Sequence, residues 1–176
     1  MLRPRIIPCL LLSNKGLVKT TAFKDPKYVG DPINAVRIFN EKECDELMFL
    51  DINSTVDKST PDLKLIKKIA AECRMPLCYG GGVKDVETAI KIFYLGVEKI
   101  ALSSAVIERP RLISEISKQV GNQSVVVVLD VKKNLFGGYD IYTHNGKIKS
   151  KQNFFDFINL VQEMGAGEIV INSIEK

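Results

Sequence analysis

The chain has 176 residues, 45% hydrophobic and 26% charged, with a formal net charge of +4. No apolar run approaches the roughly 20 residues of a membrane span, and no lysine or arginine cluster makes a nucleic-acid footprint, so neither partner is expected. The four cysteines (Cys9, Cys44, Cys73 and Cys78) show no metal-ligand spacing, and Cys9 and Cys78 fall inside apolar runs. They read as reduced, mostly buried thiols of a cytoplasmic protein, with no metal or cofactor implied.

In chain order, Met1–Leu12 carries two arginines and then Ile-Ile-Pro-Cys-Leu-Leu-Leu. The run is short, Pro8 interrupts it and no small-residue cleavage site follows, so Arg5–Leu12 reads as a buried first strand and not as a leader. Ser13–Gly30 reads as a long polar connection. Asp31-Pro32 supplies an N-cap and a first-turn proline for a helix carrying Ile33, Val36, Ile38 and Phe39. Glu46–Ile52 is the second strand, closing on Asp51, and Thr60-Pro61 opens a helix with Leu63, Ile66, Ile69 and Ala70 on its face. A third strand from Met75 ends in Gly80-Gly81-Gly82 and meets a helix over Asp85–Gly96. Glu98–Leu102 is the fourth strand, followed by a helix from Pro110, and Ser124–Val131 the fifth, ending at Asp130. Tyr139–Thr143 and Lys147–Lys149 form a hairpin turning at Asn145-Gly146, with His144 at its tip and given no catalytic role. Phe154–Met164 is helical, and Glu168–Ile174 is the sixth strand.

Six strands alternating with five helices predict an α/β fold with a parallel sheet covered on both faces. The segments 45–50, 98–102 and 167–171 each follow a helix and begin a strand with charge, the repeat of a (β/α)8 TIM barrel. Such a barrel typically needs about 200 residues or more, so the chain reads as one incomplete barrel domain. Either it is a fragment, or its sheet is open with edges that need a partner.

The glycine triplet lies where a strand turns into a helix. Glycines let the backbone approach a phosphate, and the N–H groups of the helix start favour its charge. The same triplet also serves a tight turn that binds nothing. Ser103 and Ser104, after the neighbouring fourth strand, are placed to close the same phosphate site. Strand alternation puts Arg5, Ile7, Cys9 and Leu11 on one face with Glu46, Met48 and Leu50, Lys99 and Ala101, Val126, Val128 and Asp130, and Glu168, Val170 and Asn172. If that face is the interior, Arg5, Glu46, Lys99 and Glu168 meet at its N-terminal end as two cations and two anions. Four solvated charges at strand starts are the alternative. The opposite end, where parallel barrels keep their active sites, carries Asp51, the glycines, both serines, Asp130 and Asn172. Asp130 ends an apolar strand, where a carboxylate must be paired, solvated or used; the alternative is a cap for the following turn. Lys19 reads as a loop ligand for phosphate or a solvated lysine.

Arg5-Ile6-Ile7-Pro8-Cys9-Leu10, Gly30-Asp31-Pro32, Asp45-Glu46-Leu47 with Phe49-Leu50-Asp51-Ile52, Gly80–Gly82, Val125–Asp130 and Gly165-Ala166-Gly167-Glu168 carry a resemblance. Over essentially its whole length the chain resembles the N-terminal two-thirds of the cyclase subunit of imidazole glycerol phosphate synthase, a (β/α)8 barrel of histidine biosynthesis. The resemblance implies a lyase-type cyclase with a glutaminase partner docked on the N-terminal face and ammonia passing through the barrel. The substrate at the other face is a phosphorylated aminoimidazole carboxamide ribonucleotide. It makes Arg5, Glu46, Lys99 and Glu168 an ammonia gate. Gly81, Gly82, Ser103 and Ser104, with Lys19 and Asp51, become phosphate and substrate ligands, and Asp130 a catalytic-face carboxylate. Three departures stand out. The family's catalytic aspartate near the end of strand one is Leu11 here, the second is expected one residue beyond Lys176, and Pro8 lacks the N–H that a ladder position needs. A kept gate with an altered acid–base site resembles an offshoot of the family that works with a glutaminase-like partner in amidino modification of surface-polysaccharide sugars. A non-catalytic subunit that only docks a partner is a third reading.

Overall fold

Strands apolar on both faces, alternating with amphipathic helices, build a parallel sheet with helices packed against it. The computed structural model describes residues 3–135 and 137–175; Met1 and Leu2, part of the segment weighed as a leader, lie outside them. In chain order the strands are β1 (Cys9–Ser13), β2 (Gly16–Thr21), β3 (Lys24–Gly30), β4 (Leu47–Asp51), β5 (Leu77–Gly80), β6 (Lys99–Leu102), β7 (Val125–Lys133), β8 (Tyr139–Thr143), β9 (Ile148–Asn153) and β10 (Glu168–Ser173). The helices are α1 (Pro32–Glu41), α2 (Leu63–Glu72), α3 (Val86–Phe93), the short α4 (Ser104–Glu108), α5 (Arg111–Val120) and α6 (Phe154–Glu163). The six predicted strands correspond to β1, β4, β5, β6, β7 and β10, paired in parallel in sequence order.

This sheet is open but strongly curled. Arg5, just ahead of β1, reaches Glu168 of β10 at 2.9 Å, although those strands stand at opposite ends of the parallel order. Flat, six strands would hold them roughly 24 Å apart. The curl gives the sheet two different faces. Outward, Leu47, Phe49, Leu77, Tyr79, Ile100, Leu102, Val127 and Leu129 meet helix residues such as Val36, Ile66, Ile69, Ile92, Ile113, Ile116, Phe157 and Val161 in one buried core. Inward, Met48, Cys78, Ala101, Val126 and Val128 form a second cluster with Ile7, Leu50 and Val170 against it. These are the two parities that strand alternation predicts.

Local chemistry fixes the helix starts. Asp31 accepts from the backbone N–H of Ile33 and Asn34, with Pro32 in the first turn of α1, as expected. For α2 the cap is Asp62, bonding the N–H of Lys64 and Leu65, and Thr60-Pro61 stays outside the helix. Asp85 caps α3 through the Thr88 N–H.

Three expectations are corrected. Ser13–Gly30 is not a loop: β2 pairs antiparallel with β1 and with β3. Its hairpin turns at Ala22 and Phe23, with φ of +49° and +62°, the left-handed sense that a two-residue turn uses. Most of β3 is exposed, as are Lys19 and Thr21 of β2, and Leu17 alone is buried, so no apolar alternation marks them. Pro8 lies one residue before β1 and its carbonyl accepts the Met48 N–H, so the missing proline N–H costs the ladder nothing. Cys9 is exposed while Cys78 is buried and Cys44 and Cys73 are partly covered; Cys9 pairs with Met48 of β4 on one side, and on the other β2 pairs only with Leu11, Leu12 and Ser13.

Candidate functional site

The inner face is polar at its two ends and apolar between them. At the N-terminal end Glu46, 1% exposed, directs Oε2 to the Arg5 guanidinium at 3.0 Å and to Lys99 Nζ at 2.6 Å. Lys99 also holds Glu168 Oε1 at 2.6 Å, and Arg5 closes the ring from the other side. Burial works against the Glu168 carboxylate, but hydrogen bonds from Lys99 and Arg5 outweigh it and keep its pKa below the usual range. Burial likewise penalises the Lys99 ammonium, and its bonds to Glu168 and Glu46 more than offset that. Two charges of each sign balance, so none is buried alone. Of the sequence alternatives, the four charges form a mutual ring. Glu46 Oε1 is buried without a hydrogen-bond partner among the described residues.

At the C-terminal end lies a cavity of about 510 Å³. The Gly81–Gly82 turn, Ser103, Ser104, Asp51, Asp130, Asn172 and Leu11 all line it. Glycine is required in this turn. Gly81 has φ +116° and a Cβ there would stand 2.5 Å from the Asp51 carbonyl oxygen, while Gly82 has φ +71° and would meet Ser54 at 3.0 Å. The turn thus packs closely against the end of β4 and lines the same cavity as Ser104, where α4 begins.

Asp51 is partly committed to structure, its Oδ1 accepting from the Asn53 and Ser54 N–H groups at 2.9 and 3.1 Å. Asp130 differs from its expected setting. It does not end a strand, because β7 runs on to Lys133 and β8 pairs with that extension along the edge beyond the end of β6. No turn follows for it to cap; its Oδ1 accepts from Asn172 Nδ2 at 2.9 Å across the β7–β10 pair. Burial raises its pKa to about 6, which the Asn172 amide only partly counters. A carboxyl that exchanges its proton near neutrality is suited to general acid–base work.

Lys19 is not brought to the cavity. It sits exposed on β2, paired with Lys27 of β3, although Thr20 and Phe23 of the same hairpin do line the space. Sequence reasoning missed His144 and Asn145, which also line it, with Lys58, Lys84 and Arg109 at the same cavity. Asn-Gly marks the β8–β9 turn from sequence alone, but nothing local shows that its tip folds back to the strand ends. There Asn145 Nδ2 donates to the Ile52 carbonyl at 3.0 Å.

A family model described as histidine biosynthesis protein matches residues 5–176. A Vibrio vulnificus protein, named provisionally as imidazole glycerol phosphate synthase subunit hisF3, is 57% identical over 99% of this chain and 68% of its own length. A Leptospira borgpetersenii protein, named provisionally as the HisF subunit of that enzyme, is 53% identical over all of this chain and 70% of its own. The Chlorobium limicola imidazole glycerol phosphate synthase subunit HisF is 38% identical over the same shares. The matched span takes in both polar ends of the inner face, and the chain belongs to the histidine biosynthesis family, within its imidazole glycerol phosphate synthase HisF cyclase group.

Proposed function

We propose that the protein is an ammonia-using subunit that takes its nitrogen from a glutaminase partner at the Arg5–Glu46–Lys99–Glu168 end and delivers it to a phosphorylated small molecule in the cavity at the other end. The observation that carries this reading is the inner face itself. A ring of four charges closes one end, a lining of Met48, Cys78, Ala101, Val126 and Val128 follows, and Asp130 waits in the cavity at the far end. Uncharged ammonia crosses an apolar lining at little cost, whereas ammonium is turned back by desolvation. In the cavity, backbone N–H groups of the glycine turn and the Ser103–Ser104 segment would hold a phosphate, with Lys58 and Lys84 adding charge from the rim. Asp130 would move a proton on the reacting part.

Leu11 favours a second reading within the same architecture. It lines the cavity on β1, where the resemblance calls for the cyclase's first catalytic aspartate, and an isobutyl group transfers no proton. The relatives at 53% and 57% identity carry provisional names, while the HisF subunit at 38% is named without that qualification. Loss of the strand-one acid with the charged ring kept supports an amidating subunit acting on a sugar over a histidine-pathway cyclase. The test of the shared part is binding. Ribose 5-phosphate should shift the amide NMR signals of Gly81, Gly82, Ser103 and Ser104, and a HisH-type glutaminase from the same source should co-sediment with the protein. No shift together with no complex would reject the reading.

A further inference from the structure

The β8–β9 turn holds the chain's single histidine at the cavity. His144, Asn145 and Gly146 follow one another at φ +52°, +57° and +72°. Three left-handed residues in a row persist only where their surroundings fix them. Here the anchors are the Asn145 bond to the Ile52 carbonyl, the close packing of Phe23 and Ile174 around Gly146, and Thr143, 6% exposed. The imidazole therefore hangs from a tip pinned on both sides of it.

Its tautomer is tied to where the Thr143 hydroxyl proton goes. The Ile148 carbonyl lies 3.5 Å from Oγ1 to receive it. Oγ1 is then an acceptor towards His144 Nδ1, 3.0 Å away. With the hydroxyl proton on the Ile148 carbonyl, a neutral ring carries its own proton on Nδ1 and keeps the lone pair on Nε2, which has no hydrogen bond among the described residues. A hydroxyl proton given to Nδ1 would reverse this, and the tautomer is what the first test below reads. Of the other carboxyls of the cavity, Asp51 is committed to two backbone N–H groups and Asp130 to Asn172, while Glu108 lies exposed at the end of α4. Leu11 offers none.

We propose that His144 contacts the ligand of this cavity through the Nε2 lone pair, as the proton acceptor that works with Asp130 where β1 supplies no acid. The partner group on the ligand is a hydroxyl or amine; it loses one proton, Nε2 gains it, and the imidazolium returns it to solvent after release, so nothing is consumed. Thr143 is a positioning residue, acting through the ring. The proposal rests on the reading of the cavity as a site for a phosphorylated small molecule, but its first test does not.

With one histidine in the chain, the ¹⁵N spectrum of the ring is unambiguous. In the ligand-free protein at pH 8 we expect the Nδ1–H tautomer, its loss in Thr143→Val, which keeps the shape but not the hydroxyl, and its recovery in Thr143→Ser. An Nε2–H tautomer in the unmodified protein, or one indifferent to Thr143→Val, would overturn the proposal. Ribose 5-phosphate should then move the Nε2 resonance together with the Gly81 and Ser104 amides. Amide shifts with Nε2 unmoved would reject the role of His144 while leaving the phosphate reading intact. Absence of every shift would reject the phosphate reading, and the tautomer would decide the proposal by itself.

Discussion

Asp130 falls at the cavity end expected of it but does not end its strand. Its position at the polar end of a strand was legible from alternation, and its burial followed from the valines before it. That the strand continues past it depends on pairing with β8, from Asp130 with Tyr142 to Lys133 with Tyr139, and the apolar run itself does not show that pairing. The consequence is measurable. With a folded pKa of about 6, above its unfolded value, Asp130 contributes stability that is present below about pH 4 and is lost as pH rises through about 6. Asp130→Asn is therefore expected to stabilise the protein at pH 7.5 by up to about 3 kcal/mol and to change little at pH 4. Thermal unfolding at the two pH values checks this, and an equal gain at both would contradict it. Gly81→Ala should do the reverse at all pH values. Its φ of +116° and the Asp51 carbonyl at 2.5 Å predict a loss of about 2–3 kcal/mol in denaturant titrations.

Among the elements, legibility followed apolar patterning. The strands β4, β5, β6 and β7 and the helices α1, α2, α3, α5 and α6 bury apolar residues. β1, which buries Leu12 alone, and β10, which buries none of its residues, still carry apolar runs. Each of these was found to within a few residues. The hairpin of β2 and β3 buries only Leu17, so its sequence carries turn chemistry without periodicity and reads as a loop. The short α4 was missed for a related reason, since five residues are too few to show a helical period. The charged ring joins four elements and was legible because each charge falls on the same strand parity. Breaking it tests its energetics. Lys99→Met leaves the buried Glu46 carboxylate with Arg5 alone, a half-exposed partner, and is expected to cost about 2–4 kcal/mol in a urea titration. The double variant Glu46→Leu with Lys99→Met removes the stranded charge and should recover most of that loss. A double variant no better than the single one would mean that packing around Lys99, and not its charge, holds this end together.

At the scale of the whole molecule, the curl of the sheet links the two ends: the same strands that converge their charges at one end spread a cavity of about 510 Å³ at the other. Curl and cavity come from long-range closure, which the repeat of strand and helix implies but does not locate. On the proposed reading, the side chain that sets the protein apart from a histidine-pathway cyclase is Leu11, which lines the cavity from the first parallel strand. A positioned carboxylate there would typically contribute about 10²–10⁴-fold through general acid–base catalysis, and neither Asp130 nor the proposed acceptor His144 stands at that strand-one position. The most direct measurement is turnover of the phosphorylated aminoimidazole carboxamide ribonucleotide by the purified protein with ammonium salt as nitrogen source, so that partner docking plays no part. The expected result is negligible formation of imidazole glycerol phosphate with Leu11 in place; turnover at ordinary enzyme rates would contradict the account and return the protein to the histidine pathway.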